Sequence, residues 1–305
     1  MNRPVFEFEV RDLLSMPEAE YHMVGIVENP FYFFASRGKL DCPARHRLLP
    51  LILEMSKKKP FPYLTGNIFG GSGKSYLLLK TFDAWAADNS VVVVKVTDIV
   101  GYRYPISAVR LIGEELLGYF EAAGSATRVA ILDEVEFPEL YDICFQCSDH
   151  ILAGGHYLQR DSGRLSRYFQ EIDLDLQWTI SDEYIRKHLS DMLALCGGQA
   201  AIPSNIVTLV AYKAATIGQA EAILGLLLAT YARRCALGKR SCITLEDAVF
   251  WLSVFGSNWF WFSMDCWRVA DSIPLTIHHS LCGHKQTSLL KIKIDARIEQ
   301  GLRTV

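Results

Sequence analysis

The stretch Gly70-Gly71-Ser72-Gly73-Lys74-Ser75 stands between a predicted strand, residues 62–65, and a predicted helix, residues 75–87. The helix is predicted from apolar side chains at helical spacing. In such a loop, glycines let backbone N–H groups turn toward a phosphate, and the start of the helix adds the positive end of its dipole. The stretch therefore predicts a phosphate-binding loop, with a ligand-free glycine-serine turn as the alternative.

Two side chains of this loop have distinct expected roles. Lys74 is expected to reach the β- and γ-phosphates of ATP, and Ser75 is expected to ligate Mg²⁺. The residues expected to contact the nucleotide are Gly70, Gly71, Ser72, Gly73, Lys74, Ser75 and Tyr76. Ile68 stands where the usual pattern of such loops has its first glycine. A lengthened or reshaped loop is therefore expected.

A second motif ends a run of apolar residues, 129–132, in the acidic pair Asp133-Glu134. Asp133 is expected to hold the Mg²⁺ shell, and Glu134 is expected to polarise a water molecule against the γ-phosphate. A solvated turn that carries two carboxylates is the alternative interpretation. Together with the glycine-rich loop, the motif predicts binding of ATP with Mg²⁺ and its hydrolysis to ADP and phosphate.

Alternating strands and helices surround the two motifs. The unbroken valine run 91–94 is typical of a strand that is covered on both faces, as in a parallel sheet. Further strands are predicted at residues 128–132, 150–153 and 171–176, and further helices at residues 43–57 and 106–120. After Trp178 the pattern contains helices only, beginning at Ser181, and Thr244 with Asp247 resembles a capping box. The predicted fold class is an α/β parallel sheet with helices on both faces, followed by an all-helical subdomain.

The composition excludes several classes of protein. The chain has 305 residues, of which 50% are hydrophobic, with 31 basic and 34 acidic side chains and a net charge of -3. This balance excludes a disordered chain and shows no overall basic excess of the kind that marks many nucleic-acid binders. The charge is uneven, because residues 1–30 have two basic and six acidic groups, whereas residues 285–305 have five basic and two acidic groups. Near-neutral net charge therefore does not exclude DNA.

The cysteines and the apolar segments predict a cytoplasmic protein without a membrane partner. The chain opens on an acidic segment rather than a signal peptide, so the eight cysteines are expected to be reduced thiols. Residues 217–232 and 248–264 are apolar, but polar residues interrupt both before the roughly 20 residues of a membrane span are reached. Two groups have only weak metal-like spacing, Cys144 with Cys147 and His150, and His278 and His279 with Cys282 and His284.

The order of these parts resembles the AAA+ ATPases. The resemblance is carried by the glycine-rich loop, the valine strand, Asp133-Glu134, a strand that ends in Ala153-Gly154-Gly155, the stretch 166–169 and the helices that follow. The second half resembles the transposition regulators of the TnsC, TniB and Mu B type, on residues 151–154, 164–169, 216–220 and 238–247. The resemblance extends over roughly residues 40–250. The expected parts are an N-terminal segment (1–40), an AAA+ core (41–177), a helical lid (178–250) and an aromatic-rich C-terminal segment with a basic tail (251–305).

The resemblance to these regulators implies how the chain assembles and which further residues act. Such proteins form rings or filaments on double-stranded DNA, with ATP between subunits, and they recruit a transposase or another recombination protein. Arg167 is implied to act on the ATP of a neighbouring subunit, ahead of Arg164 and Arg160, although a surface arginine paired with an acid is the alternative. The implied DNA contacts are Tyr102, Arg103 and Tyr104. Gln219 stands where the lid often carries a sensing arginine, and is included among the expected nucleotide contacts.

The expected function is that of an ATPase that assembles on DNA and regulates transposition. A helicase loader or replication initiator is a second interpretation, because it shares every motif described above. A nucleotide-gated scaffold with little hydrolysis is a third, with the aromatic segment as its docking surface. Gly154 and Gly155 favour this third interpretation, since a polar sensor is usual there and His156 is the nearest polar candidate.

Overall fold

The computed structural model describes most of the chain in two compact units. The described residues are 7–8, 12–13, 16–31, 43–66, 71–97, 106–135, 138–155, 167–239, 242–254, 272–281 and 284–293. The first unit, here called the sheet unit, comprises residues 42–66, 73–177 and 270–305. The second, here called the helical unit, comprises residues 1–41, 67–72 and 178–269.

Five parallel strands form the centre of the sheet unit. They are β1 (Phe61–Thr65), β2 (Val91–Thr97), β3 (Thr127–Asp133), β4 (His150–Gly154) and β5 (Phe169–Asp173), in the order β5-β1-β4-β3-β2. The helices of this unit are α2 (Pro43–His46), α3 (Leu49–Ser56), α4 (Lys74–Ala86), α5 (Ile106–Ala122), α6 (Pro138–Cys147) and α7 (Leu174–Gln177). The predicted α/β parallel sheet is confirmed. Strand β5 lies at one edge of this sheet, but residues 174–176, which are predicted as the end of the strand, belong to the short helix α7 instead.

Both faces of the sheet are covered, as the valine run predicts. Side chains of successive strand residues point to opposite faces, yet Val93 and Val94 are both fully buried. On one face, the even-numbered valines of β2 pack in a cluster with Ile112 and Leu116 of α5. The apolar run therefore suits a central strand of a parallel sheet.

A hairpin near the C-terminus extends the sheet to seven strands. Strand β6 (Ser272–Leu281) pairs antiparallel with β2, and β7 (His284–Lys293) pairs antiparallel with β6. No strands are predicted from the sequence in this region. Pairing with β6 satisfies the backbone groups of β2, which would otherwise lie at an open sheet edge.

The helical unit is built around one long helix. Its helices are α1 (Glu18–His22), α8 (Asp182–Cys196), α9 (Ser204–Lys213), α10 (Ile217–Ala236) and α11, which covers residues 245–254. Every residue of α10 from Ile217 to Thr230 is buried, so this helix is surrounded by its neighbours. The buried Asn29 side chain donates a hydrogen bond to the Gly225 carbonyl (2.8 Å), which attaches residues near the N-terminus to α10.

The predicted helix starts are confirmed. The Ser181 hydroxyl accepts a hydrogen bond from the Tyr184 N–H at the start of α8. Before α11, the Asp247 carboxylate accepts from the Thr244 N–H (2.8 Å), and the Thr244 hydroxyl accepts from the Asp247 N–H (3.3 Å), which is a capping box. Across the described helices, none is both long and apolar enough to span a membrane.

Candidate nucleotide site

The candidate residues of the sheet unit lie where three parallel strands end. Strand β1 ends at Thr65, just before the glycine-rich loop, β3 ends in Asp133 and β4 ends in Gly154. Carboxyl ends of parallel strands lie at one edge of a sheet, which is where ligands bind in open α/β folds. The fold thus brings the end of the glycine-rich loop and the acidic pair to the same edge.

Gly73 forms the last turn of the loop before α4 begins. It is the N-cap of α4, with φ of 84° and ψ of 16°, a left-handed conformation that favours glycine. A Cβ atom there would lie 2.9 Å from Cγ of Arg45. Gly73 is therefore required both for its conformation and for its lack of a side chain, and Lys74 and Ser75 open the helix directly after it.

Arg45 is a buried cation that is not among the residues predicted from the sequence. Its side chain is 1% exposed. The guanidinium donates hydrogen bonds to the Leu174 carbonyl (3.2 Å) and to the Asp175 carboxylate (2.8 Å). Because the aliphatic part of Arg45 lies against Gly73, this side chain links the turn after β5 to the end of the loop.

Lys74 and Glu134 face each other across the edge of the sheet. The ammonium of Lys74 lies 3.6 Å from the Glu134 carboxylate, and the two side chains are 4% and 23% exposed. Glu134 has φ of 57°, and among the described residues it is the one non-glycine with positive φ. Such strain is typical of functional sites. The Glu134 N–H donates to the Gly154 carbonyl (2.8 Å), which holds this conformation in place.

Ser75 and Asp133 are in direct contact. The Ser75 hydroxyl donates a hydrogen bond to Oδ1 of Asp133 (2.9 Å), and Asp133 is 1% exposed. Mg²⁺ is a hard cation that prefers oxygen ligands, and it is usually held by one or two protein groups together with phosphates and water. A hydroxyl and a carboxylate at this separation therefore fit Mg²⁺, as predicted from the sequence.

Lys95 is a further buried cation of this site, and it lies against Asp133. Its ammonium lies 2.9 Å from Oδ2 of Asp133 and also donates to the Thr97 hydroxyl. The Lys95 side chain is 4% exposed. Lys95 is not among the residues predicted from the sequence, although a lysine within a strand of otherwise apolar, covered residues is a signal that could have identified it, because a buried charge needs a partner.

A tyrosine hydroxyl occupies the space next to Gly155, where the sequence lacks a polar sensor. A Cβ atom on Gly155 would lie 2.5 Å from Oη of Tyr63 and 3.5 Å from Oε2 of Glu134. Burial raises the pKa of the neighbouring Tyr141, and the Tyr63 hydroxyl and the Glu134 carboxylate raise it further. Tyr141 is therefore a neutral donor, and it hydrogen-bonds the Val135 carbonyl (2.9 Å) just beyond Glu134.

In the helical unit, Gly71 of the loop touches the start of α10. The Gly218 N–H donates to the Gly71 carbonyl (3.0 Å). A Cβ atom on Gly71 would lie 2.7 Å from the Thr216 hydroxyl, and one on Gly218 would lie 2.5 Å from the Gly71 Cα. The two glycines therefore pack backbone against backbone, and neither position has room for a side chain.

Two further predicted nucleotide contacts have local partners. Gln219 is buried, and its side-chain oxygen accepts a hydrogen bond from the Ala215 N–H. Its N–H donates to the Thr216 hydroxyl (3.1 Å), which caps α10. Tyr76 is half-buried, with the ammonium of Lys80 lying 5.4 Å from its ring centroid. The roles of Gln219 and Tyr76 toward a nucleotide stay predictions.

Arg167 lies on the surface immediately before the edge strand β5. An exposed position beside an edge strand is compatible with contact to another subunit, and this role stays a prediction. Several other predicted residues lie outside the described part of the chain, namely Gly70, Tyr102, Arg103, Tyr104, His156, Arg160 and Arg164.

The cysteines of α6 are thiols in the structure. Burial raises the pKa of Cys144 to about 12, so this thiol is neutral. Within the described ranges, no group of three or more His, Cys, Asp or Glu side chains has the arrangement of a metal site.

Comparisons with known proteins include a distant structural likeness. No family model matches the chain, and no curated protein sequence matches it. Among solved structures, the chain is similar to one described as the structure of Drosophila ORC bound to DNA, with a TM-score of 0.42 and 14% sequence identity. The match covers 82% of this chain and 67% of that chain. At this level of similarity the likeness assigns no function to the chain.

Proposed function

We propose that this chain is an ATPase of the AAA+ type that binds ATP together with Mg²⁺. The observation that carries the proposal is the set of four contacting side chains at the carboxyl edge of the sheet, Lys74 with Glu134 and Ser75 with Asp133. A lysine and a hydroxyl at the start of a helix, opposite two carboxylates at a strand end, are the groups that phosphoryl transfer requires.

These four side chains divide three tasks between them. Lys74 binds the phosphates, since its ammonium is buried at the start of α4 behind the left-handed Gly73. Ser75 and Asp133 hold the metal ion, which supplies positive charge that polarises the phosphate oxygens. Glu134 accepts a proton from the attacking water at its carboxylate, and its strained backbone sets the direction of that carboxylate.

Substitution of Lys74 and Glu134 tests this assignment. Lys74→Ala is expected to weaken ATP binding because it removes the phosphate-binding charge, and Glu134→Gln is expected to abolish turnover while ATP still binds. Binding is measured with a fluorescent ATP analogue and turnover by phosphate release. Arg110→Ala is a matched control, because this exposed arginine pairs with Glu114 on the same helix. Unchanged phosphate release in Glu134→Gln would contradict catalysis by this site.

We further propose that subunits assemble on double-stranded DNA and that the assembly regulates transposition. The proposal is supported by the exposed position of Arg167 beside the edge strand, and by the motifs in the second half that resemble transposition regulators. Because assembly repeats each basic loop along the phosphates, a subunit of near-neutral charge binds DNA weakly alone and tightly in an array. A helicase loader or replication initiator shares these features.

Electron microscopy and partner capture separate these possibilities. With ATP and duplex DNA, rings or filaments are expected, and dispersed monomers would contradict the assembly. Capture of a transposase supports the transposition role, whereas capture of a replicative helicase supports the loader. A scaffold that hydrolyses ATP slowly is a third possibility, favoured by Gly154 and Gly155 at the position of the usual polar sensor, and the rate of phosphate release separates it from an active ATPase.

A further inference from the structure

The strongest unexplained feature of the site is the buried pair between Lys95 and Asp133. The ammonium lies 2.9 Å from Oδ2 of the carboxylate, and the side chains are 4% and 1% exposed. Strands β2 and β3 are neighbours, with Thr97 opposite Asp133 and Lys95 opposite Ile131. Since residues two apart on a strand share a face, Lys95 and Thr97 both face the carboxylate.

This pair leaves no oxygen of Asp133 without a donor. Ser75 donates to Oδ1, and Lys95 donates to Oδ2. Within the described part of the chain, the two ion pairs of this site are Lys74 with Glu134 and Lys95 with Asp133, and their four charges sum to zero. A neutral, buried site has little attraction for a free divalent cation. The ion would lose its hydration water, and the site carries no net negative charge that would compensate for this loss.

We propose that Lys95 is the resident counter-ion of Asp133, and that it makes entry of the metal ion dependent on nucleotide. The inference rests on the proposed function. Free Mg²⁺ does not displace the lysine from the neutral site. ATP brings the negative charge that the site lacks, so Mg²⁺ enters only together with the phosphates, while Lys95 continues to fix the direction of the Asp133 carboxylate. Lys95 is therefore a positioning residue, and it also controls when the metal ion binds.

Removal of the counter-ion gives a specific prediction for the protein without nucleotide. In Lys95→Met the buried carboxylate is left without its cation, and Mg²⁺ is then expected to bind and raise the melting temperature. The wild-type protein is expected to show no shift with Mg²⁺ alone. The apparent affinity for Mg²⁺ without nucleotide is expected to rise by about tenfold or more, because a positive charge next to the site is removed.

The double substitution Lys95→Met with Asp133→Asn is the decisive comparison. It removes both charges and is expected to fold without any response to Mg²⁺. Lys285→Met is a matched control. This lysine forms an exposed ion pair with Asp83, in which Nζ lies 2.8 Å from Oδ1, and neither residue belongs to the proposed site. If Lys95→Met folds only when Mg²⁺ is present during refolding, that result also supports the proposal.

Three outcomes would overturn the inference. They are a Mg²⁺ response in the wild-type protein equal to that of Lys95→Met, a Lys95→Met variant that Mg²⁺ does not stabilise, and failure of that variant to refold with or without Mg²⁺ while the double variant folds. Binding of the fluorescent ATP analogue to the wild-type protein is measured in parallel. Absence of that binding contradicts the proposed function itself, whereas normal binding by the wild-type protein without a Mg²⁺ response in Lys95→Met contradicts only the role of Lys95.

Discussion

Replacement of Gly218 by alanine tests the backbone contact between the loop and α10. Gly218 lies in the first turn of α10, where helix propensity favours alanine over glycine by about 0.5–1 kcal/mol. On propensity alone the substitution stabilises the protein. The structure predicts the opposite, because the added Cβ atom would lie 2.5 Å from the Gly71 Cα and 2.9 Å from the Gly71 carbonyl oxygen.

The magnitude follows from these distances. Both contacts are to backbone atoms, so no rotation of a side chain relieves them, and the two segments must separate by about 1 Å to reach ordinary contact. That separation breaks the hydrogen bond from Gly218 to Gly71, which contributes about 0.5–1.5 kcal/mol. Overpacking costs about 1–3 kcal/mol. After the gain in propensity, Gly218→Ala is expected to lower the free energy of unfolding by about 1–3 kcal/mol.

Urea denaturation measures this change, and an ATP-binding assay follows its consequence. Because Gly71 belongs to the proposed phosphate loop, its displacement is expected to weaken ATP binding by about tenfold, equivalent to about 1.4 kcal/mol. Gly118→Ala is the matched control, since no atom lies within 4 Å of its added Cβ, and it is expected to stabilise the protein. Wild-type stability and ATP affinity in Gly218→Ala would refute the importance of the contact.

Three further predictions concern other parts of the two units. Arg45→Met removes the buried charge that pairs with the partly exposed Asp175 carboxylate. It is expected to lower the free energy of unfolding, measured by urea denaturation, by about 2 kcal/mol. Burial acts to raise the pKa of Asp247, but hydrogen bonds from Arg234 and Thr244 lower it below its usual value. The stability that Asp247 confers is therefore present above a pH of about 4 and lost as the pH falls further, so the difference from Asp247→Asn should shrink in acid denaturation curves. Tyr63→Phe is expected to slow phosphate release about tenfold with ATP binding unchanged, because the hydroxyl that lies next to Gly155 at this edge of the sheet is lost. Equal release rates would show that this hydroxyl does not assist the carboxylate.

The local patterns of the chain are sufficient to predict its class and the position of its motifs. A run of valines reveals a covered strand wherever that strand lies, because burial on both faces removes the alternation of polar and apolar residues. A glycine-lysine-serine stretch before a helix, and two acids after an apolar run, are equally local. The hairpin β6–β7 is not predicted, since its pairing with β2 joins segments far apart in the sequence.

By itself, the sequence determined which residues begin helices, which strands are covered and which groups are candidates for the phosphates and the metal ion. The tertiary structure alone decided what surrounds those groups. Lys95 meets Asp133 only because β2 and β3 are neighbours in this register, and Tyr63 meets Gly155 only because β1 lies beside β4. The physical reason is that patterns along a chain record burial and local conformation, whereas the partner of a buried charge depends on strand order and register, which packing of the whole sheet selects.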